Sequence, residues 1–270
     1  MVWNSELPAN LCRNCGETVS QEFCPACGQK TKTKRLRFKE EYKNLFAHLF
    51  FVEGPLLKTL KGIIIKPGKF CLDYIDGKRK GKYKPLPLFV FILAVYVFSF
   101  QILDIKMEDF ANTFSMEGNP MFETEEGRQV MTEYMAFFQN NLKTLSFIQI
   151  PFFAFFAMIF TNGIKLNFIE HFTTSTYISA ASMLIGTILM LFVIMFPTST
   201  VMWSITAITF VYMIWAYFDF FKFYYSKPMA LFLSFATNIM GYFIFIFIIS
   251  MLGGIYMGYR MFQLGMFDKV

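Results

Sequence analysis

The sequence predicts an all-α polytopic membrane protein, with about five transmembrane helices behind amphipathic helices and a small cysteine-rich module. Of its 270 residues, 55% are hydrophobic and only 16% are charged. This composition is too apolar for the surface of a water-soluble domain of this size. Apolar runs in the second half repeatedly approach the ~20 residues that a helix needs to cross a bilayer. Lipid is therefore the expected solvent for most of the chain.

Residues 1–30 are the first predicted unit. Two residues separate Cys12 from Cys15, two separate Cys24 from Cys27, and a glycine follows each pair. This spacing lets both thiolates of a pair bind one cation, and the glycine permits the turn that aims backbone N–H groups at sulfur. Four thiolates complete a closed tetrahedral shell, which favours structural zinc over an iron site or a redox dithiol pair. A disulfide framework is disfavoured in the cytosol.

Residues 31–84 are predicted to be a basic cytoplasmic linker with amphipathic helices. Residues 1–84 contain 17 basic and 8 acidic residues, whereas the rest of the chain contains 8 basic and 11 acidic ones. Apolar residues at three- and four-residue spacing predict one helix over 38–50, and a second begins at Pro55 and ends before Pro67. This second helix is too short to cross a bilayer. It is expected either to lie at the level of the lipid head groups or to pack against the bundle.

Residues 85–270 are the predicted transmembrane domain. The spans are expected at about 86–103, 145–162, 175–196, 200–218 and 229–258. The first follows a cationic cluster and no signal peptide is evident, so the positive-inside rule places the N-terminus in the cytoplasm. The chain is thus predicted to be integral to a bacterial inner membrane.

Two parts of this domain depart from a simple succession of spans. Residues 104–143 hold eight acidic and three basic residues, which predicts an acidic external loop. Part of this loop has helical propensity. The final run is longer than a bilayer requires, so a tilted helix, a break at Gly253-Gly254 and a hairpin near residues 238–241 all remain open.

Polar residues within the spans bear on transport. A transporter ordinarily places ionisable residues inside its spans, and the predicted spans contain none. Glu170, His171 and Asp219 are expected at loop edges. Gln149 and Ser182 are polar residues within the bilayer and can form hydrogen bonds between helices. The pattern disfavours ion-coupled transport.

No residue pattern predicts catalysis. The chain contains no Gly-rich phosphate loop, nucleophile elbow or His-Glu-x-x-His motif, so we expect that it is not an enzyme. Cys71 is expected to be an ordinary buried residue. His48 and His171 lack a neighbouring nucleophile or metal-ligand pattern and are expected to be structural.

Short motifs follow in order between Cys12 and Phe100: the two cysteine pairs, Gly28-Gln29-Lys30, Gly77-Lys78-Arg79 and Tyr83-x-x-Pro85. This series resembles the uncharacterised bacterial membrane proteins grouped as domain-of-unknown-function family 3667. The resemblance implies a membrane protein with an N-terminal zinc ribbon. It implies no activity, substrate or catalytic residue.

These observations predict a non-catalytic membrane protein whose zinc ribbon docks a protein partner or anionic lipid in the cytoplasm. The basis is the charge between Lys30 and Lys84, where 16 basic residues accompany 5 acidic ones. The alternative is a transporter or channel regulated by its ribbon. Nucleic acid is a less favoured partner for the same cations. The sequence names no small-molecule substrate.

Overall fold

A computed structural model of the protein describes residues 10–37, 55–105 and 124–263. A cysteine module, residues 10–30, precedes the helices. These are α1 Pro55–Ile65, α2 Pro67–Ile75, α3 Pro85–Ile102, α4 Glu125–Phe160, α5 Phe168–Met190, a 3₁₀ turn Leu191–Ile194, α6 Thr198–Phe221 and α7 Lys227–Gln263. The five helices α3 to α7 are long and apolar enough to cross a membrane. The predicted all-α fold class with five spans is confirmed.

Proline marks where the first helices begin. Pro55, Pro67 and Pro85 each occupy the first position of α1, α2 and α3, where the missing N–H costs no hydrogen bond. The helix α2 was not predicted, because Pro67-Gly68 was interpreted only as the end of the preceding helix. The same proline also starts a new helix. The helix predicted over 38–50 lies outside the described residues.

Helix bounds differ from the predicted spans where polar residues continue a helix. The helix α4 begins at Glu125, so much of the segment predicted as an acidic loop is helical. Its first turn is capped by Thr124, whose hydroxyl accepts a hydrogen bond from the Gly127 N–H. The helix α7 runs unbroken through 37 residues, which excludes the break and the hairpin. Each of these two helices is about 54 Å long and exceeds a bilayer core of ~30 Å.

The helix α5 lies at the centre of the bundle. It packs against α3, α4 and α6, and also against α1 and α2. Buried small residues line it and let neighbouring backbones approach closely; they include Thr173, Thr174, Ser175, Ala180, Ala181 and Gly186. The helix α7 packs on α4 and α6, and its exposed Phe243 and Phe247 suit contact with lipid.

The short helices α1 and α2 pack against the ends of the spans nearest the cysteine module. The Tyr212 hydroxyl of α6 donates a 2.7 Å hydrogen bond to the Ile63 carbonyl of α1. The Gly68 N–H of α2 donates a 2.8 Å hydrogen bond to the Asp219 carboxylate of α6. A side chain at Gly68 would collide with the Asp219 backbone, so the two helices are in close contact. Both short helices therefore pack on the bundle.

Candidate metal centre and its junction with the bundle

The two cysteine pairs adopt the same local structure. The Gly16 N–H donates a 2.8 Å hydrogen bond to the Cys12 carbonyl, and the Gly28 N–H donates one of the same length to the Cys24 carbonyl. Both glycines have positive φ angles, +82° and +69°, a conformation that glycine adopts without steric cost. Each pair is therefore folded into one tight turn.

The turns bring four thiols together. The sulfur atoms of Cys12, Cys15, Cys24 and Cys27 all lie within 4.8 Å of one another. The Cys12 and Cys27 sulfurs are 3.6 Å apart and the Cys15 and Cys24 sulfurs are 3.5 Å apart. A tetrahedral shell with zinc–sulfur bonds of about 2.3 Å has sulfur–sulfur edges of about 3.8 Å. The four predicted ligands are thus positioned so that they could hold a metal ion.

The acidity of the thiols differs within the cluster. Desolvation raises the pKa of Cys27, but hydrogen bonds from the Gln29 N–H and neighbouring side chains outweigh it, and the pKa falls to about 7. The Glu17 N–H lowers the pKa of Cys15, but desolvation and the other thiols outweigh it and raise the pKa to about 12. A bound metal ion would displace the thiol protons, because thiolates and not thiols are the metal ligands.

The cysteine module has very little apolar core. Its buried apolar cluster consists of Cys12, Val19 and Cys24, with Cys27 packed beside them, and the Phe23 ring is exposed. Modules this small need a metal, disulfides or a neighbouring surface for stability. The cysteines form no disulfides, so metal binding and contact with the bundle are the available sources.

A glutamine joins the cysteine module to the bundle. The Gln29 side chain is only 6% exposed. Its oxygen accepts 3.0 Å hydrogen bonds from the N–H groups of Arg79 and Lys80, and its nitrogen donates a 2.9 Å hydrogen bond to the Gly77 carbonyl. Residues 76–84, here called the junction segment, lead directly into α3. Because the Gln29 N–H also contacts Cys27, one residue connects the thiol cluster to the first span.

An ion pair forms a second connection. The Arg35 guanidinium donates two 2.7 Å hydrogen bonds to the Glu170 carboxylate and one to the Lys165 carbonyl. The Glu170 side chain is fully buried and the Arg35 side chain is 38% exposed. The hydrogen bonds with Glu170 raise the pKa of Arg35, which therefore stays charged. Residues that follow the cysteine module are thus fixed to the start of α5.

The expectation that Glu170, His171 and Asp219 lie at loop edges was wrong. Glu170 and His171 lie in the first turns of α5, and Asp219 lies near the end of α6; all three are buried. The Glu170 and Asn167 side chains each bond the other's backbone N–H, forming a capping box. The spacing Asn-x-x-Glu is a sequence signal for such a helix start and could have identified it.

Cys71, His171 and His48 were also considered from sequence. Cys71 is buried in α2, as expected, and desolvation raises the pKa of its thiol to about 12. Among the described residues, neither ring nitrogen of His171 has a hydrogen-bond partner. His48 lies outside the described residues.

Residues 53–97 match the family model described as a protein of unknown function (DUF3667). The match confirms the predicted resemblance over the segment that contains α1, α2, the junction segment and most of α3. Neither a curated protein nor a solved structure matches the chain. The matched segment is the one that Gln29 contacts, although the cysteine module itself lies outside the match.

Proposed function

We propose that this chain is a non-catalytic bacterial inner-membrane protein whose structural zinc ribbon docks a protein partner or anionic lipid in the cytoplasm. The observation that carries the proposal is the buried Gln29 side chain, with hydrogen bonds to Gly77, Arg79 and Lys80. These bonds hold the cysteine module against the junction segment, which leads into the first span. A fixed module presents a defined surface, which a module on a free tether would not do.

The donor set supports a structural role for the metal. Four thiolates fill the tetrahedral shell of zinc and leave no coordination position for a substrate or water. Bound zinc would neutralise charge among Cys12, Cys15, Cys24 and Cys27 and would stabilise the two turns. Zinc would contribute folding free energy here, because metal binding and folding are coupled in so small a module.

The charge distribution supports the orientation. Residues 1–84 carry a net charge of +9, from 17 basic and 8 acidic residues. Loops rich in Lys and Arg next to spans stay in the cytoplasm. Residues Lys78 to Lys84 immediately precede α3, so they would lie beside the anionic inner leaflet.

Metal analysis and in-cell crosslinking test the proposal together. We expect one zinc per purified chain, and none when the four module cysteines are changed to serine. A photocrosslinking residue at the exposed Pro25 position should give defined adducts in membranes, and the four-cysteine variant should lose them. The Cys71→Ala variant is the matched control, because it removes a cysteine outside the module. Identical zinc content and adducts in all three proteins would refute a zinc-dependent docking surface.

A second candidate function is a transporter or channel regulated by the ribbon, and an intramembrane cavity favours it. The cavity measures about 190 Å³ and draws residues from all five spans. Its polar lining is neutral: Tyr96, Ser146, Gln149, Ser179, Ser182, Thr209 and Tyr242. The volume is below the ~300–1,000 Å³ of typical ligand sites, so it suits water or a small neutral solute.

Flux measurements decide between the two candidates. The full chain would be reconstituted into vesicles, and water and glycerol entry would be followed by light scattering. The transport candidate predicts protein-dependent entry that Gln149→Leu abolishes, because leucine replaces a polar amide in the cavity lining with an apolar group of similar size. The docking candidate predicts entry at the rate of empty vesicles for both proteins.

A further inference from the structure

A wide basic groove lies where the cysteine module meets the junction segment. Its volume is about 1120 Å³, and residues 19–22, 28–34 and 79–80 line it. Its charged lining consists of Lys30, Lys32, Lys34, Arg79, Lys80 and Glu22. The groove is a separate feature from the thiol cluster, whose cysteines are not among its lining residues.

The charge of the groove is strongly one-sided. Five cationic side chains face a single acidic one, Glu22, whose carboxylate lies 3.1 Å from the Lys30 ammonium. Neither Lys32 nor Lys80 forms an ion pair with a described residue. Lys32 and Lys80 are exposed, so a ligand in the groove can contact their ammonium groups. The groove therefore favours an anion with several oxygen acceptors, such as a phosphate.

Part of the groove is preorganised. The Arg79 guanidinium donates hydrogen bonds to the Lys34 and Tyr74 carbonyls. These bonds hold the guanidinium in position in the lining of the groove. The Arg79 and Lys80 backbones are held by Gln29. The Lys80 ammonium lies against Gly28, where a β-carbon would be 3.5 Å away. Two walls from distant parts of the chain are thereby held facing each other.

The groove lies close in sequence to the start of the first candidate span. Lys80 precedes Pro85, the first residue of α3, by five residues, which can extend over at most about 17 Å. The cationic surface also continues towards α1, because the Lys58 ammonium lies 3.9 Å from the β-carbon position of Gly81. Head groups occupy roughly the outer 5–8 Å on each side of the hydrocarbon core. With α3 crossing a bilayer, lipid phosphates would be the anions closest to the groove.

We propose that the basic groove binds the phosphate of an anionic phospholipid head group, with Lys32 and Lys80 as its principal contacts. This inference rests on the proposed function and identifies lipid as the docked partner at this surface. Binding would hold the cysteine module at the membrane surface in addition to the Gln29 junction. It would also make attachment of the module depend on the lipid composition of the leaflet.

The test measures lipid binding to the full chain in detergent by native mass spectrometry. The probe is phosphatidylglycerol, compared with phosphatidylcholine at equal concentration. We expect a preference for phosphatidylglycerol that falls roughly thirtyfold in the double variant Lys32→Glu/Lys80→Glu. The matched control is Lys61→Glu/Lys66→Glu, which has the same charge change at two exposed lysines outside the groove lining. Its preference should stay near that of the parent protein.

Four outcomes would overturn the inference. These are no preference for phosphatidylglycerol, equal losses in both double variants, displacement of the lipid by millimolar inorganic phosphate, and displacement by an RNA oligonucleotide at equal phosphate concentration. The last two would assign the groove to a soluble anion or to nucleic acid.

The proposed function fails separately from the inference. If the four-cysteine variant keeps its crosslinked adducts while Lys32→Glu/Lys80→Glu loses phosphatidylglycerol, zinc-dependent docking is wrong and the head-group site stands. If the adducts are lost while the groove variant binds lipid normally, the inference alone is wrong.

Discussion

The two ends of the helical bundle are built differently. At the end beside the cysteine module, buried polar groups join α1, α2 and the junction segment to the spans, as in the bond from the Tyr177 hydroxyl to the Tyr83 carbonyl. At the opposite end, the first turns of α4 pair with the last turns of α7 through the Glu133–Arg260 ion pair. Buried hydrogen bonds fix geometry far more strongly than exposed ones. The difference indicates that the end beside the cysteine module is the more rigidly fixed of the two.

The two ion pairs express the contrast most directly. Both are arginine–carboxylate pairs with two hydrogen bonds each. The Glu170 carboxylate is fully buried, whereas the Glu133 and Arg260 side chains are about 30% exposed. Loss of one partner leaves an uncompensated buried charge only in the first pair. Removal of one partner should therefore destabilise the protein more at the end beside the cysteine module than at the opposite end.

Metal removal should give the largest effect and should be confined to one end. Metal binding supplies about 10–16 kcal/mol in comparable thiolate peptides, and residues 10–30 have almost no other core. We expect a chelator to make this segment sensitive to protease while the helical circular dichroism of the bundle persists. Cooperative loss of helicity with the metal would contradict the separation of module and bundle.

The Arg35→Ala variant should be the next most severe. It leaves the Glu170 carboxylate buried without its cation, which costs roughly 3 kcal/mol. Thermal unfolding in detergent measures the loss. Arg35→Lys should recover only part of the lost stability, because lysine keeps the charge but cannot form the bidentate pair. Equal destabilisation by Arg35→Ala and by Glu133→Gln would show that burial does not distinguish the ends.

Glycine substitutions give a graded comparison. A β-carbon at Gly68 would collide with the Asp219 backbone, so Gly68→Ala should cost about 1–3 kcal/mol. At the opposite end, the atoms nearest to a β-carbon at Gly253 belong to the side chain of Tyr134 and not to backbone, so the cost should be smaller. Gly254→Ala is the control. Nothing lies near its β-carbon position, and alanine favours a helix by ~1 kcal/mol, so it should be neutral or stabilising.

This order can be checked from unfolding temperatures of the three alanine variants measured in one detergent. A Gly253→Ala variant that unfolds at a lower temperature than Gly68→Ala would reverse the assignment of the more tightly packed end.

The smallest effect is expected from pH at the opposite end. Hydrogen bonds from Arg260 lower the pKa of Glu133 below its ordinary value of 4.5. The ionised pair is therefore stabilising at and above that pH, and its contribution is lost as the pH falls through the lowered pKa. Hydrogen exchange of α4 near Glu133 should increase slightly under acid conditions. In Glu133→Gln the same amides should show no such pH dependence.

Hydropathy located the apolar spans. It did not locate the polar ends of the helices that contain them. The first span was predicted at 86–103 and α3 occupies Pro85–Ile102, because a run without charges has a clear start and end. The start of α5 was missed by several residues, since Glu170 and His171 look unsuitable for a bilayer when considered alone. Glu170 is buried in an ion pair with Arg35, and His171 is buried within the bundle; a local sequence window contains neither environment.

The sequence by itself determined the features that depend on near neighbours: the thiol turns, whose ligands are two residues apart, and the apolar runs that favour lipid. Tertiary structure alone decided which distant residues meet. Gln29 reaches Gly77 and Lys80 across about fifty residues, and Arg35 reaches Glu170 across 135. Such contacts follow from how whole helices pack, and many sequences with the same local pattern would pack differently. The attachment of the cysteine module to the helical bundle is therefore a property of the fold.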